Sequence, residues 1–277
     1  MDAQTREFVH TVTQYGEEHY RDFAWRRTTD PYEILVSETM LQQTQVSRVE
    51  RYYPTWLCRF PVIDVLAEAE LADVLDAWQG LGYNRRALLL KRAAEEVSTQ
   101  MGGKLPRDEK ALRALPGIGP TTAAGICAFA YNEPVVYLET NSRTVVLHEC
   151  FPDHTQVPDS EVYAVLEAAV VETQSQGIEP RMWNYALLDY GAHLKRTFPN
   201  PARRSKHHTR QSAFEGSRRQ KRAVLLRIVM ENPDSNAADY ADICDLEIDV
   251  VESVLADLTT EGFLSKDAEG RYSVRSG

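Results

Sequence analysis

The chain has 277 residues, 43% of them hydrophobic and 26% charged, with a net charge of −10. This composition excludes a small disulfide scaffold and a chain coated end to end in nucleic acid, and no apolar run approaches the roughly 18 residues of a membrane span. Cys58, Cys127, Cys150 and Cys244 lie far apart without a C-x-x-C, so no bound metal and no disulfide are expected. The N-terminal stretch lacks signal- and transit-peptide patterns, and a cytoplasmic protein is expected.

Up to about residue 200 the sequence reads as successive amphipathic helices without strand-like alternation, and the fold class is all-α. Asp30-Pro31 opens a helix whose apolar face carries Ile34, Leu35, Leu41 and Val46. Glu38 lies four residues after Ile34 and three before Leu41, so it shares the face that should be buried. A carboxyl desolvated there has a raised pKa and can donate a proton near neutral pH; alternatively Glu38 sits at the stripe's edge and reaches water. Further helices are expected over about 64–79, 84–101, 108–114, 120–131, 142–150, 159–174 and 180–196.

Between two of these helices, LPGIGP places Gly117 and Gly119 in a tight turn just before Pro120 starts a helix. This helix-hairpin-helix leaves first-turn N–H groups pointing outward, a site for one backbone phosphate, although an ordinary helix connection has the same pattern. In VVYLETNS an apolar stretch ends at Glu139, and Asn141 is placed to cap the helix from Ser142. The macrodipole favours Glu139 as the anion. Glu38 pushed toward the acid and Glu139 toward the anion is the division of labour that glycosidic cleavage uses, with a plain structural cap as the other reading of Glu139.

Residues 192–222 carry +9, leaving −19 on the rest. A local cationic segment on an acidic body fits a phosphate-binding arm or a solvated linker. Beyond it the pattern is helix, helix, helix, short hairpin, which resembles a winged helix. Residues 231–261 hold ten acidic side chains and no Lys or Arg, so a major-groove role is disfavoured and a packing or partner-binding module is expected.

Taken together, PYEILVSETMLQQTQV, WQGLGYNRRALLLKRAA, LPGIGPTTAAGI, ETNSRTV and WNYALLDYGA resemble the helix-hairpin-helix DNA glycosylase superfamily, and within it the MutY-type adenine glycosylases, over about residues 20–195. The resemblance implies two helical domains, 26–133 and 1–25 with 134–200; the charge and helix patterns add a basic connector at 201–222 and the winged-helix-like domain at 223–277. It implies base-excision repair by a monofunctional glycosylase acting, as a monomer, on double-stranded DNA with a lesion or mispair; adenine is the first expected base, with an alkylated base or mispaired pyrimidine as alternative. Glu38 matches the family's general acid, and Asn141 a polar residue beside the second carboxylate. Gln43, with its neighbour Thr44, and Tyr83 match residues that enter the duplex around the flipped nucleotide. Gly117 and Gly119 match the phosphate-binding hairpin. Thr121 stands where strand-cleaving relatives carry a Schiff-base lysine, so no β-lyase activity is expected.

The sequence departs from that family in three places. Glu139 replaces the family aspartate, one methylene longer. The four-cysteine loop of a [4Fe-4S] cluster is missing after WNYALLDYGA, so no cluster is expected, and Arg203, Arg204 and Lys206 are expected to meet DNA in its place. The acidic module stands where a lesion-sensing domain would follow, and a protein partner is expected to bind through it. A non-catalytic protein that recognises DNA distortion is the competing class.

Overall fold

The computed structural model describes residues 3–206 and 215–276. The helices up to the hairpin are α1 (Ala3–Glu18), α2 (Pro31–Leu41), α3 (Val46–Arg59), α4 (Ile63–Glu68), α5 (Leu71–Trp78), α6 (Arg85–Met101) and α7 (Glu109–Ala114). There follow α8 (Pro120–Phe129), α9 (Thr140–Glu149), α10 (Asp159–Ser175) and α11 (Pro180–Thr197), then α12 (Arg218–Glu231), α13 (Ala237–Cys244) and α14 (Ile248–Glu261). Strands β1 (Leu264–Lys266) and β2 (Tyr272–Val274) close the chain as an antiparallel hairpin. Among the described residues no helix is long and apolar enough to cross a membrane.

Local chemistry sets the helix starts. Asp30 accepts from the backbone N–H groups of Tyr32 and Glu33, and Pro31 supplies the preset first turn of α2. Asp108 caps α7 through Ala111 N, and Ser217 caps α12 through Gln220 N. Two helices are shorter than the sequence pattern suggests. The helix opened at Pro31 stops at Leu41 instead of running through Val46, and the stretch 64–79 divides into α4 and α5 where Ala69 and Glu70 hold extended backbone.

The chain falls into two compact units, Met1–Thr39 with Leu105–Arg210 and Met40–Lys104 with Gln211–Gly277. These boundaries do not coincide with those expected at 25/26, 133/134 and 222/223. The hairpin helices belong with the segment that follows them because Phe129 of α8 stacks on Tyr185 of α11, with ring centroids 4.6 Å apart. The terminal module likewise shares a unit with 40–104.

In the first unit α1, α9, α10 and α11 enclose Phe8, Val12, Val146, Leu166, Trp183 and Leu187. A buried ion pair reinforces this core: both terminal nitrogens of Arg26 donate to the Asp189 carboxylate at 2.8 Å, and its guanidinium lies 4.4 Å from the centre of the Tyr185 ring. In the second unit Trp56 and Trp78 meet edge to face at 5.3 Å, and Lys91 of α6 donates to the Ala67 carbonyl near the end of α4. The three C-terminal helices bury Val229, Tyr240, Leu255 and Phe263, and the hairpin completes a winged-helix-like order.

Candidate active site

Glu38 projects from the buried side of α2 and is 9% exposed. The Tyr137 hydroxyl donates to its Oε2 at 2.8 Å, and both side chains are buried. Space for the carboxyl comes from α8: a Cβ on Gly125 would stand 2.3 Å from Oε2 and 2.8 Å from the carboxyl carbon. Burial pushes Glu38 up to about 8, the Tyr137 hydrogen bond works against that rise, and the charge on Glu139 adds to it. The carboxyl is therefore largely protonated at neutral pH.

Glu139 is the N-cap of α9. Its Oε1 accepts from the backbone N–H groups of Asn141 and Ser142, and its Oε2 accepts from the Asn141 amide at 3.2 Å. In return the Ser142 hydroxyl accepts from the Glu139 N–H, completing a capping box. The expectation that Glu139 is driven toward the anion needs correcting. Burial raises its pKa and outweighs Lys195, the two backbone N–H groups and the Asn141 amide, all of which favour the charged form. Both carboxyls are thus shifted upward, Glu38 to about 8 and Glu139 in direction only, with the donors of α9 and Lys195 restraining the second.

Asn141 is held where Gly191 lets α9 and α11 touch: a Cβ there would stand 2.3 Å from the Asn141 carbonyl oxygen. The Asn141 Oδ1 is buried without a hydrogen-bond partner among the described residues. Reading the sequence missed Tyr137, Gly125, Lys195 and Gly191. Two of them carried a signal. In the extended segment before α9, Tyr137 and Glu139 are two residues apart and so face the same side, and a glycine inside the α8 pattern needs a packing reason.

At the hairpin Gly117 has φ +76°, a left-handed conformation that favours glycine. A Cβ on Gly119 would meet none of the described residues within 4 Å. The first bond inside α8 runs from Ala123 N to the Gly119 carbonyl, leaving the preceding N–H groups without an acceptor in the helix. Thr121 is exposed, and its hydroxyl donates to the Leu138 carbonyl at 3.2 Å, joining the hairpin to the segment that carries Glu139.

In the second unit Gln43 and Tyr83 both adopt left-handed backbone, with φ of +55° and +50°. Such conformations in non-glycine residues persist only where their surroundings impose them. Arg86 bonds to both turns. Its Nη1 donates to the carbonyls of Met40 and Gln42 at 3.0 and 2.7 Å. Its Nη2 donates to Thr44 Oγ1, the Leu81 carbonyl and the Gly82 carbonyl at 3.1, 3.2 and 2.9 Å. One planar guanidinium thereby fastens the Gln43–Thr44 turn to the Gly82–Tyr83 turn. Burial lowers its pKa to about 10, still charged at neutral pH.

The basic segment is more occupied by internal contacts than its net charge suggests. Arg203 and Lys206 are exposed, but Arg204 donates to the Phe151 and Pro152 carbonyls, and the segment folds back beside Val157. Arg218 and Arg222 pair with Asp257 and Glu261. His207, His208, Arg210 and Phe214 of this segment lie outside the described residues. The donor set does not fit a thiolate-ligated cluster: no cysteine lies between Cys150 and Cys244, and the four cysteines stand on or beside α3, α8, α9 and α13.

Residues 36–170 match the family model of the HhH-GPD superfamily base excision DNA repair protein. The adenine DNA glycosylase of Mycobacterium tuberculosis (strain ATCC 25618 / H37Rv) is 31% identical over 284 residues, spanning 92% of this chain and 89% of that protein. The thymine/uracil-DNA glycosylase of Methanothermobacter thermautotrophicus is 29% identical over 186 residues, 67% of this chain and 83% of the relative. Among solved structures, a thermostable thymine-DNA glycosylase superposes with a TM-score of 0.60 and 26% identity, covering 68% of this chain and 86% of that one. The chain belongs to the HhH-GPD superfamily of base excision DNA repair proteins.

Proposed function

We propose that this chain is a monofunctional DNA glycosylase that hydrolyses the N-glycosidic bond of a base flipped out of double-stranded DNA at a lesion or mispair, with adenine the first candidate. The observation that carries this reading is the buried Glu38 carboxyl, held at Oε2 by the Tyr137 hydroxyl and pushed up to about 8 by burial, in the same unit as Glu139 capping α9. Glu38 gives its proton to a ring nitrogen of the departing base. The C1′–N bond then breaks and its electron pair leaves with the base. Glu139, as the anion that Lys195 and the α9 N–H groups hold against the upward push of burial, stabilises the positive charge that develops on the sugar. Glu139 next takes a proton from the water that adds to C1′.

Thr121 offers no amine for a covalent sugar adduct, and its hydroxyl is engaged by Leu138. The abasic product is accordingly left with its strand intact. The reaction needs no cluster, and the chain acts as a cytoplasmic monomer. Arg203 and Lys206, exposed on the connector, meet backbone phosphates. The acidic surface of α13 and α14 is the face for a protein partner.

A mispaired pyrimidine is the second substrate reading, favoured by the longer carboxylate at 139 and by the likeness to a thymine/uracil-DNA glycosylase. Single-turnover assays on duplexes with individual lesions and mispairs, read with and without alkali, test the proposal. Adenine release with strand breaks only after alkali is expected. Breaks without alkali overturn the monofunctional assignment, and binding without release from any duplex overturns catalysis.

A further inference from the structure

Among the described residues, two contacts tie the C-terminal module, which the proposed chemistry does not use, to the 40–104 segment of its own unit. At one, Arg92 of α6 donates to the Glu261 carbonyl at the end of α14, at 3.1 Å. At the other, Arg219, the second residue of α12, donates from Nη1 to the Tyr83 hydroxyl at 2.6 Å. The Arg219 guanidinium also lies 5.1 Å from the centre of the Tyr83 ring, and that of Arg86 lies 5.7 Å from it. Tyr83 therefore has a cation from the start of α6 and another from the module, on a left-handed backbone.

Arg219 is itself fixed in place. Arg218 pairs with Asp257 at 2.5 Å and Arg222 with Glu261 at 2.9 Å, so its neighbours bind α12 to the acidic α14. The negative charge of α14 thus has a structural use: it anchors the helix that delivers Arg219. Arg219 also differs from an exposed phosphate-seeking arginine, because its hydrogen bond to Tyr83 is part-buried.

We infer that the C-terminal module takes part in duplex interrogation, with Arg219 as the positioning residue that holds the Tyr83 ring in the orientation from which it enters the base stack. This rests on the reading of the chain as a DNA glycosylase with Tyr83 at the duplex. A cation over an aromatic face and a charge-assisted hydrogen bond together restrict the ring.

The test is a double-mutant cycle in the full-length chain with Arg219→Met, Tyr83→Ala and the pair, on a duplex carrying 2-aminopurine beside an adenine mispair. Binding is followed by anisotropy across a salt series, and base unstacking by fluorescence. Arg219→Met is expected to weaken binding about fivefold and to reduce the fluorescence rise. The double variant should be no worse than Tyr83→Ala, the salt slope should equal that of wild type, and Arg219→Lys should restore most of the signal. Additive losses, or a salt slope lower by about one in Arg219→Met, overturn the proposal, the second because it marks a direct phosphate contact. In either case wild-type base release leaves the glycosylase reading standing. Wild-type chain that neither unstacks nor releases a base overturns both.

Discussion

The Tyr137 hydroxyl donates to Glu38 Oε2 at 2.8 Å between two buried side chains, so one oxygen of the acid is held as an acceptor. Tyr137→Phe keeps the edge-to-face contact with Phe129 at 5.1 Å and removes only the donor. Because that donor holds the Glu38 pKa down, its loss should move the alkaline limb of the single-turnover pH–rate profile upward. The rate at pH 7 should fall about tenfold from lost orientation.

Gly125 gives the same carboxyl its space. Gly125→Ala places a methyl carbon 2.3 Å from Oε2, so Glu38 must swing aside. Base release should drop by about two orders of magnitude while duplex affinity stays within twofold of wild type, read by single-turnover kinetics and anisotropy.

Glu139 combines a cap with a charge, and two substitutions separate them. Glu139→Ala loses the bonds to Asn141 and Ser142 and should cost about 1 kcal/mol of stability together with most of the base release. Glu139→Asp retains a capping carboxylate and should melt like wild type, yet release base about tenfold more slowly because the charge is withdrawn by one methylene. Thermal melts alongside kinetics check both.

Arg86 is the third point of attack. Lysine supplies one ammonium where the guanidinium reaches five acceptors in two turns. Arg86→Lys should weaken duplex binding about tenfold and leave the rate at saturating protein nearly unchanged. An equal loss in both, by anisotropy and single-turnover kinetics, would assign Arg86 to the chemistry.

How much of this was legible depends on how far each contact reaches along the chain. Glu38 showed itself because helix periodicity puts it among Ile34 and Leu41, and the hairpin because Gly117, Gly119 and Pro120 are local signals. The break after Leu41 was not legible. Nothing in Gln42–Gln43–Thr44–Gln45 forbids a helix, and the turn is bound by Arg86, some forty residues away. The pKa direction of Glu139 was misjudged for a similar reason: the macrodipole can be read from a cap, whereas burial depends on what packs over it. The charge of the basic segment was correct, but Arg218 and Arg222 are matched to Asp257 and Glu261 by folding, which a sum along the chain cannot show.

Glu38 as a buried acid makes two demands on one pair of proteins. With its folded pKa near 8 and an unfolded value near 4.5, the native state holds the proton more tightly, so this group lowers stability as pH rises from about 5 through 8. Glu38→Gln removes that ionisation and should melt higher than wild type at pH 8, with the gap closing toward pH 5. The measurement to make is single-turnover base release by wild type and Glu38→Gln from pH 5 to 10, with melts at the same values. Wild type should lose about tenfold in rate per pH unit above about 8, and Glu38→Gln should bind the duplex but release no base at any pH. Base release by Glu38→Gln at the wild-type rate, or a wild-type profile flat through pH 8, contradicts Glu38 as the proton donor.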